Sequence, residues 1–460
     1  MRVDKEELVK MIEEVLEEQD DFIPKIQNRG DVAEGLLGAA IVARYLKGGD
    51  PVDIADVESV LDNLAGTAAI PMKSKKGKEA KGKIKKTWKS GTIKRNDDTE
   101  DEIEFTVALP EAAFQSLVDP TRRPRLQGTP TPDKPGDKPV KQPNIYGSVV
   151  KYANAAVALK ASVDEMNDQK SSLVTILSDG VSDQKGTKVD LYVYKTTDGK
   201  KEYLERLGKL SLKALGTKQI GQIGKTWACT RAEDTDECLN SRGIYDLMKQ
   251  MFGITLSDEL AAEYKQGLAP GSTKEEGKAV VTKVFQEALP LIQAKYAKDA
   301  PDEVVEFKKG LARAIKYEVQ LKEEGVILVH LENDDYKELD FNTIEDKIGE
   351  VDIEVEGKLT GGVPYLYVID AAHKLRLLNI RPKIRAGEVK IYIEKEKGLV
   401  ELLKISEEES SEEETGRSDL GGHFASALGS GVFKEQKHLT NPPLTAKMLQ
   451  EMIDDLLSKE

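Results

Sequence analysis

Between residues 145 and 331 the hydrophobic period changes from helical to strand-like, back to helical, and to strand-like again. Ile145–Met166 is alanine-rich and apolar at helical spacing. Ser172–Leu177, Lys188–Tyr194 and Leu207–Leu212 are short runs rich in Val, Leu and Tyr, the pattern of strands. Helical stretches at 218–251, 257–266, 273–298 and 302–323 follow, the last with Gly325 as a C-terminal stop, and Val326–Leu331 is again a strand. Strands separated by helices pack as an α/β fold, a mixed sheet flanked by helices. The segments Ile353–Val355, Tyr365–Ile369, Lys374–Ile380 and Val389–Ile393 alternate apolar and polar residues and predict a β-rich C-terminal region.

Upstream, Leu8, Met11, Ile12 and Val15 share a stripe in a predicted helix over 4–18. A stronger helix is expected from Asp31, read as its N-cap, to Leu46. The small residues Gly35, Gly38, Ala39 and Ala40 on it predict close approach of a neighbour. A third helix covers 53–64. Residues 73–83 read as a loop, Lys85–Lys94 and Glu102–Ala108 as a hairpin, and the proline-rich 119–143 as an extended connector. The expected organisation is therefore 1–118, N-terminal helices with a basic hairpin insertion; 119–143, linker; 144–335, core and helical region; 336–405, β-rich region; and 406–460, an acidic linker, disordered by composition over 406–420, with a terminal helix at 445–457.

Composition narrows the function. The chain has 460 residues and a formal net charge of -14, with 33% charged residues. No apolar run approaches the ~20 residues that span a bilayer, and the charged N-terminus lacks a signal-peptide stretch. Cys229 and Cys238 have no zinc-site spacing and read as free thiols, and the four histidines are isolated in sequence. No Walker loop or Gly-x-Ser-x-Gly elbow is present. Cations cluster locally despite the acidic total. Lys83, Lys85, Lys86 and Lys89 form one group and Arg381, Lys383 and Arg385 another, both candidates for nucleic-acid phosphates. Each has an equally simple reading as a solvated charged face.

The candidate chemistry lies on two neighbouring predicted strands. Asp190 stands in Lys188-Val189-Asp190, and Ser211-Leu212-Lys213 follows on the next strand, with Gln219 and Gln222 beyond it. A carboxylate and an ammonium brought to one sheet edge suit Mg²⁺-assisted phosphodiester hydrolysis. This arrangement resembles the PD-(D/E)xK, or restriction-endonuclease-like, superfamily, and the Ser-x-Lys form is similar to a phage-associated branch. The resemblance implies a mixed-sheet core, Mg²⁺ (or Mn²⁺) as cofactor, DNA as partner and DNA endonuclease activity. It implies Asp190 as metal ligand, Ser211 at the usual carboxylate position, Lys213 as the motif lysine and Gln222 as the following glutamine. Ser211 supplies no carboxylate, so a second acid is required. Glu34, on the predicted 31–46 helix, is the expected donor; Asp164 and Glu165 are the alternatives. An inactive nuclease-fold protein, serving as a phage structural or DNA-packaging component, is the competing expectation. Either reading places the chain in the host cytoplasm or a virion, away from membranes, as a homo-oligomer or part of a phage assembly.

Overall fold

The computed structural model describes residues 23–73, 79–94, 100–133, 137–156, 159–160, 173–179, 188–197, 200–204, 207–214, 216–227, 243–296, 301–320, 323–385 and 388–405. The expected helices at 4–18 and 445–457, the acidic linker, Asp164, Glu165, Cys229 and Cys238 lie outside them. The chain divides into two units, Met1–Ser410 and Ser411–Glu460, and every described residue belongs to the first.

In chain order the first half runs α1 (Arg29–Leu46), α2 (Ile54–Ala65), β1 (Ile70–Lys73), β2 (Glu79–Lys94), β3 (Glu100–Pro110), α3 (Glu111–Val118), α4 (Arg123–Leu126), α5 (Ile145–Ala155), β4 (Leu173–Asp179), β5 (Leu191–Thr197), β6 (Lys200–Tyr203) and β7 (Lys209–Ala214). Then come β8 (Gln219–Ile223), α6 (Ile244–Phe252), α7 (Asp258–Gly267), α8 (Lys274–Tyr296), α9 (Pro301–Gln320), β9 (Ile327–Glu332), β10 (Asp335–Asp340), α10 (Ile344–Glu350), β11 (Ile353–Thr360), β12 (Val363–Asp370), β13 (Leu375–Arg385), β14 (Glu388–Lys395) and α11 (Lys397–Leu403). The expected mixed α/β architecture with helices is present.

Two sheets form. The first has nine strands among the described residues, in the order β1-β2-β3-β4-β5-β7-β9-β10 with β6 beside β5. It is mixed: β3 with β4 and β7 with β9 pair parallel, and the other neighbours are antiparallel. The second is antiparallel, β11-β12-β13-β14-β8. A parallel pair needs a long crossover. Between β7 and β9 that crossover contains β8 and four helices, so the chain visits the second sheet and returns before completing the first.

Helix α1 sits at the centre of the first core. It is apolar nearly all round, and such a helix must be covered on every side. Val32, Leu36, Leu37, Ala39, Ala40, Ile41 and Val42 are fully buried. Gly35 and Gly38 allow the contact: a Cβ at Gly38 would stand 2.7 Å from the Phe105 ring, and one at Gly35 2.5 Å from a Leu117 methyl. One apolar cluster joins α1 to β3, β5, β7 and β9, and a second joins α6–α9 to the five-stranded sheet.

Several expectations are corrected. Parts of the 119–143 stretch are packed, at Arg125, Leu126, Thr131 and Gln142. Pro120 opens a 3-10 turn, Leu126 and Arg125 are buried, and the Arg125 guanidinium donates to the carbonyls of Ile23 (2.8 Å) and Pro132. Few apolar residues advertise this packing because a satisfied arginine fills the space. The 1–118 region is no separate domain, since its helices and hairpin share sheet and core with β4–β9. The boundary at 335 cuts the β9–β10 hairpin, whose ladder pairs Asp335 with Glu332 through Asp340 with Ile327. Residues 79–83, read as loop, begin β2. The helix expected over 218–251 begins instead with β8, because a turn with Gly216 at φ 78° reverses the chain just after β7.

Candidate active site

Asp190 stands immediately before β5, where the β5–β7 ladder ends. That ladder holds only Leu191 with Leu210 and Tyr192 with Lys209. Beyond it the strands part and a side chain takes over. The Asp190 backbone N–H donates to Leu210 O (2.8 Å), and its carboxylate Oδ2 accepts the Leu212 N–H at 2.6 Å. Side chains alternate along a strand. Lys188 and Asp190 therefore share one face, and Ser211 and Lys213 project together from β7.

Ser211 joins the two charges. Its hydroxyl donates to Asp190 Oδ2 at 3.3 Å, and the Lys213 ammonium donates to Ser211 Oγ at 3.5 Å. Ser211 is 1% exposed. The residue that lacks a carboxylate thus serves as a buried hydroxyl relay between lysine and aspartate. Both hydrogen bonds fall on Oδ2, and Oδ1 accepts none among the described residues.

Burial raises the Asp190 carboxyl above its ordinary value, against the opposing pull of Lys213, the Leu212 and Ser211 hydrogen bonds, and Lys188. Lys188 is lowered, first by burial and then by the Lys213 charge. Asp31 is raised, by burial first and then by the negative charge of Asp190, with Lys83 opposing. The acid that senses Asp190 is therefore Asp31, in the first turn of α1. Asn28 occupies the N-cap expected of Asp31. Glu34, the acid expected from sequence, lies one turn further along the same face and is 8% exposed. Among the described residues no three Asp, Glu, His or Cys side chains converge as a metal cage. Asp31, Glu34 and Asp190 thus do not close round one point.

The donor set still fits Mg²⁺ in its usual mode, one or two carboxylates with retained waters and substrate oxygens. Asp190 and Asp31 are the residues that would hold it.

A histidine and a lysine neighbour Lys213. His330 is its partner across the parallel β7–β9 ladder, and Lys395 at the end of β14 raises the local positive charge. Lys395 is 2% exposed and donates to Thr217 O at 2.6 Å, and burial with the charges of Lys213 and Lys218 lowers it to about 7. His330 is lowered to about 4, by burial and then by Lys395 and Lys337. Sequence offered no sign of this pair, because β14 and β9 are remote from β7 along the chain.

The other predicted residues are dispersed. Gln222 is exposed on β8, in the second sheet, opposite Tyr392, and its Oε1 accepts from Gln219 at 3.4 Å. Lys83 faces Asp31 electrostatically, and Lys85 is exposed. Lys86 is held by the carbonyls of Ala65 (2.7 Å) and Thr67 (2.8 Å), at the end of α2, so it is a structural cation and not a phosphate ligand. Lys89 pairs with Glu104 (3.4 Å) and Glu102 (3.9 Å). Arg381 forms a two-pronged pair with Glu394 (2.6 and 2.9 Å), whereas Lys383 and Arg385 are exposed.

Compared with family models, curated proteins and solved structures, the chain matches none. No helix of the described residues is long and apolar enough to cross a membrane.

Proposed function

We propose that this protein is a Mg²⁺-dependent DNA endonuclease of the PD-(D/E)xK type, with Asp190 and Asp31 as metal carboxylates and Lys213 as the catalytic lysine. The observation that carries the reading is the Lys213–Ser211–Asp190 hydrogen-bond chain at the point where β5 and β7 part. A bound Mg²⁺ would lower the pKa of an attacking water and offset charge on the phosphate. The protein's own groups do the rest. Asp190 is fixed in orientation by the Leu212 N–H and Ser211 hydroxyl. The Lys213 ammonium reaches the Ser211 hydroxyl that binds this carboxylate, where it orients water or balances charge developing on a phosphoryl oxygen. Lys188 adds a second cation to the same face, suited to a phosphate approaching from solvent. A phage origin is part of the resemblance and enters the proposal on that basis.

The test is direct metal binding. Titration calorimetry with Mn²⁺ is expected to give a saturable site in the wild type, lost in Asp190→Asn and weakened in Asp31→Asn. Equal binding by all of these chains would overturn the assignment. A chain that binds no Mn²⁺ would instead support the inactive structural or packaging role.

A further inference from the structure

The five-stranded sheet has one covered and one aromatic face. Helix α8 packs on the first, where Val355, Leu366, Val368, Leu378, Ile380, Val389, Ile391 and Ile393 are buried. Residues of the opposite parity stand on the second, and there the sequence changes character. Tyr365 and Tyr367 on β12 lie 6.1 Å apart at 19°. Tyr392 on β14 pairs in register with Arg381 on β13 and with Gln222 on β8. The Arg381 guanidinium lies 5.3 Å and the Lys383 ammonium 5.5 Å from the Tyr392 ring centre, and Arg376 caps the Tyr367 ring at 4.0 Å. Tyr365 and Tyr392 are partly exposed, and Arg376, Lys383 and Arg385 are exposed. A recess at the β13–β14 end is lined by Lys383, Arg385, Glu388, Lys390 and Tyr392.

We infer that this face binds single-stranded DNA, with Tyr365 and Tyr392 as stacking platforms, the buried Tyr367 supporting Tyr365 from beneath Arg376, and Arg376, Lys383 and Arg385 facing the phosphates. The rings on β12 and β14 stand roughly 10 Å apart, two strand spacings, with the cation row of β13 between them. A strand crossing the sheet would meet ring, cation and ring in turn. Tyrosine faces stack on bases only when those bases are unpaired, so the aromatics select single strands over duplex. An acidic peptide would use the cations and leave the rings idle. Glu354 and Glu356 project beside Lys358 on β11 and repel phosphate, which confines the footprint to β12–β14. The choice of DNA over RNA rests on the proposed nuclease reading; the surface itself is independent of Asp190.

The experiment is fluorescence anisotropy of a labelled oligo-dT strand with the full chain, in EDTA so that nothing is cut. Wild type is expected to bind, with affinity falling steeply as salt rises. Tyr392→Ala is expected to lower affinity about tenfold, Tyr392→Phe to bind as wild type, and Lys383→Ala to make the log–log salt slope shallower by about one. Unchanged thermal melting would separate these effects from unfolding. EDTA removes metal and none of these substitutions touches Asp190, Asp31 or Lys213, so this result does not depend on the metal site. Insensitivity to Tyr392→Ala overturns the proposal, as does tighter binding of duplex or of oligo-U RNA. Absence of binding at low salt also overturns it.

Discussion

The Asp190 carboxylate accepts the backbone N–H of Leu212 at 2.6 Å, so a side chain on the approach to β5 occupies the place where the ladder to β7 would have continued. The sheet opens there because the next bond is made by a carboxylate. The same bond fixes the orientation of Asp190, while burial works against its charge.

That opposition gives the first prediction. A carboxyl raised by burial makes the folded state bind a proton more tightly than the unfolded one. Its contribution to stability is therefore present below the ordinary value of 3.8 and is lost as pH rises through the raised value. At neutral pH the charged form is a standing cost. Asp190→Asn keeps an acceptor for Leu212 and removes the charge. Its melting temperature at pH 7 is expected to equal or exceed that of wild type, measured by differential scanning calorimetry, and the difference to vanish towards pH 3.

Asp31 and Glu34 should separate in the metal dependence of cleavage. Asp31 senses Asp190, whereas Asp31, Glu34 and Asp190 form no common cage. Asp31→Asn is expected to raise the Mg²⁺ concentration for half-maximal activity by about tenfold or more. Glu34→Gln should raise it less, and a larger shift in Glu34→Gln would return the metal site to the sequence-based assignment.

Lys395 carries a separate pH signature. Its folded value of about 7 lies well below the ordinary 10.5, because burial and two neighbouring lysines oppose its charge. Here the folded state binds the proton less tightly. Stability from this group is thus withheld below pH 7 and gained as pH rises from there to 10.5. Lys395→Met is expected to stabilise the fold at pH 6–7 by on the order of 1–3 kcal/mol. The advantage should fade by pH 10, which urea unfolding at several pH values will show.

Gly38 tests the packing that sets the site's framework. An added methyl would lie 2.7 Å from the fully buried Phe105 ring. Alanine normally favours a helix, yet overpacking a tight core costs about 1–3 kcal/mol. Gly38→Ala is therefore expected to lower stability in urea unfolding, whereas Gly30→Ala, at an open position on the same helix, should not.

How much of this was legible in the sequence depends on the range of the interaction. The α1 helix, its small-residue face and the strands around Asp190 and Ser211 are written in local periodicity. The Asp190–Ser211–Lys213 convergence was readable because adjacent antiparallel strands bring those positions together. Asp31 was misread as a cap, since a carboxylate at a helix start usually caps it, while Asn28 in the left-handed region takes that place. Lys395 and His330 reach Lys213 through strand pairings that cross more than a hundred residues, which no local pattern encodes. The packing around Arg125 has no local signal because the principal buried side chain there is an arginine satisfied by carbonyls. Gln222 was misplaced with respect to the site because the turn at Gly216 carries it into the other sheet.

The account stands most directly on cleavage of supercoiled plasmid in Mg²⁺, compared among wild type, Asp190→Asn and Lys213→Ala. The wild type is expected to nick and linearise the plasmid, with EDTA abolishing the reaction. Each variant should be slower by about a hundredfold or more, since each removes a group acting on the transition-state charge. Cleavage that persists unchanged in both variants, or a wild-type chain that binds Mn²⁺ and leaves the plasmid intact, would contradict the account.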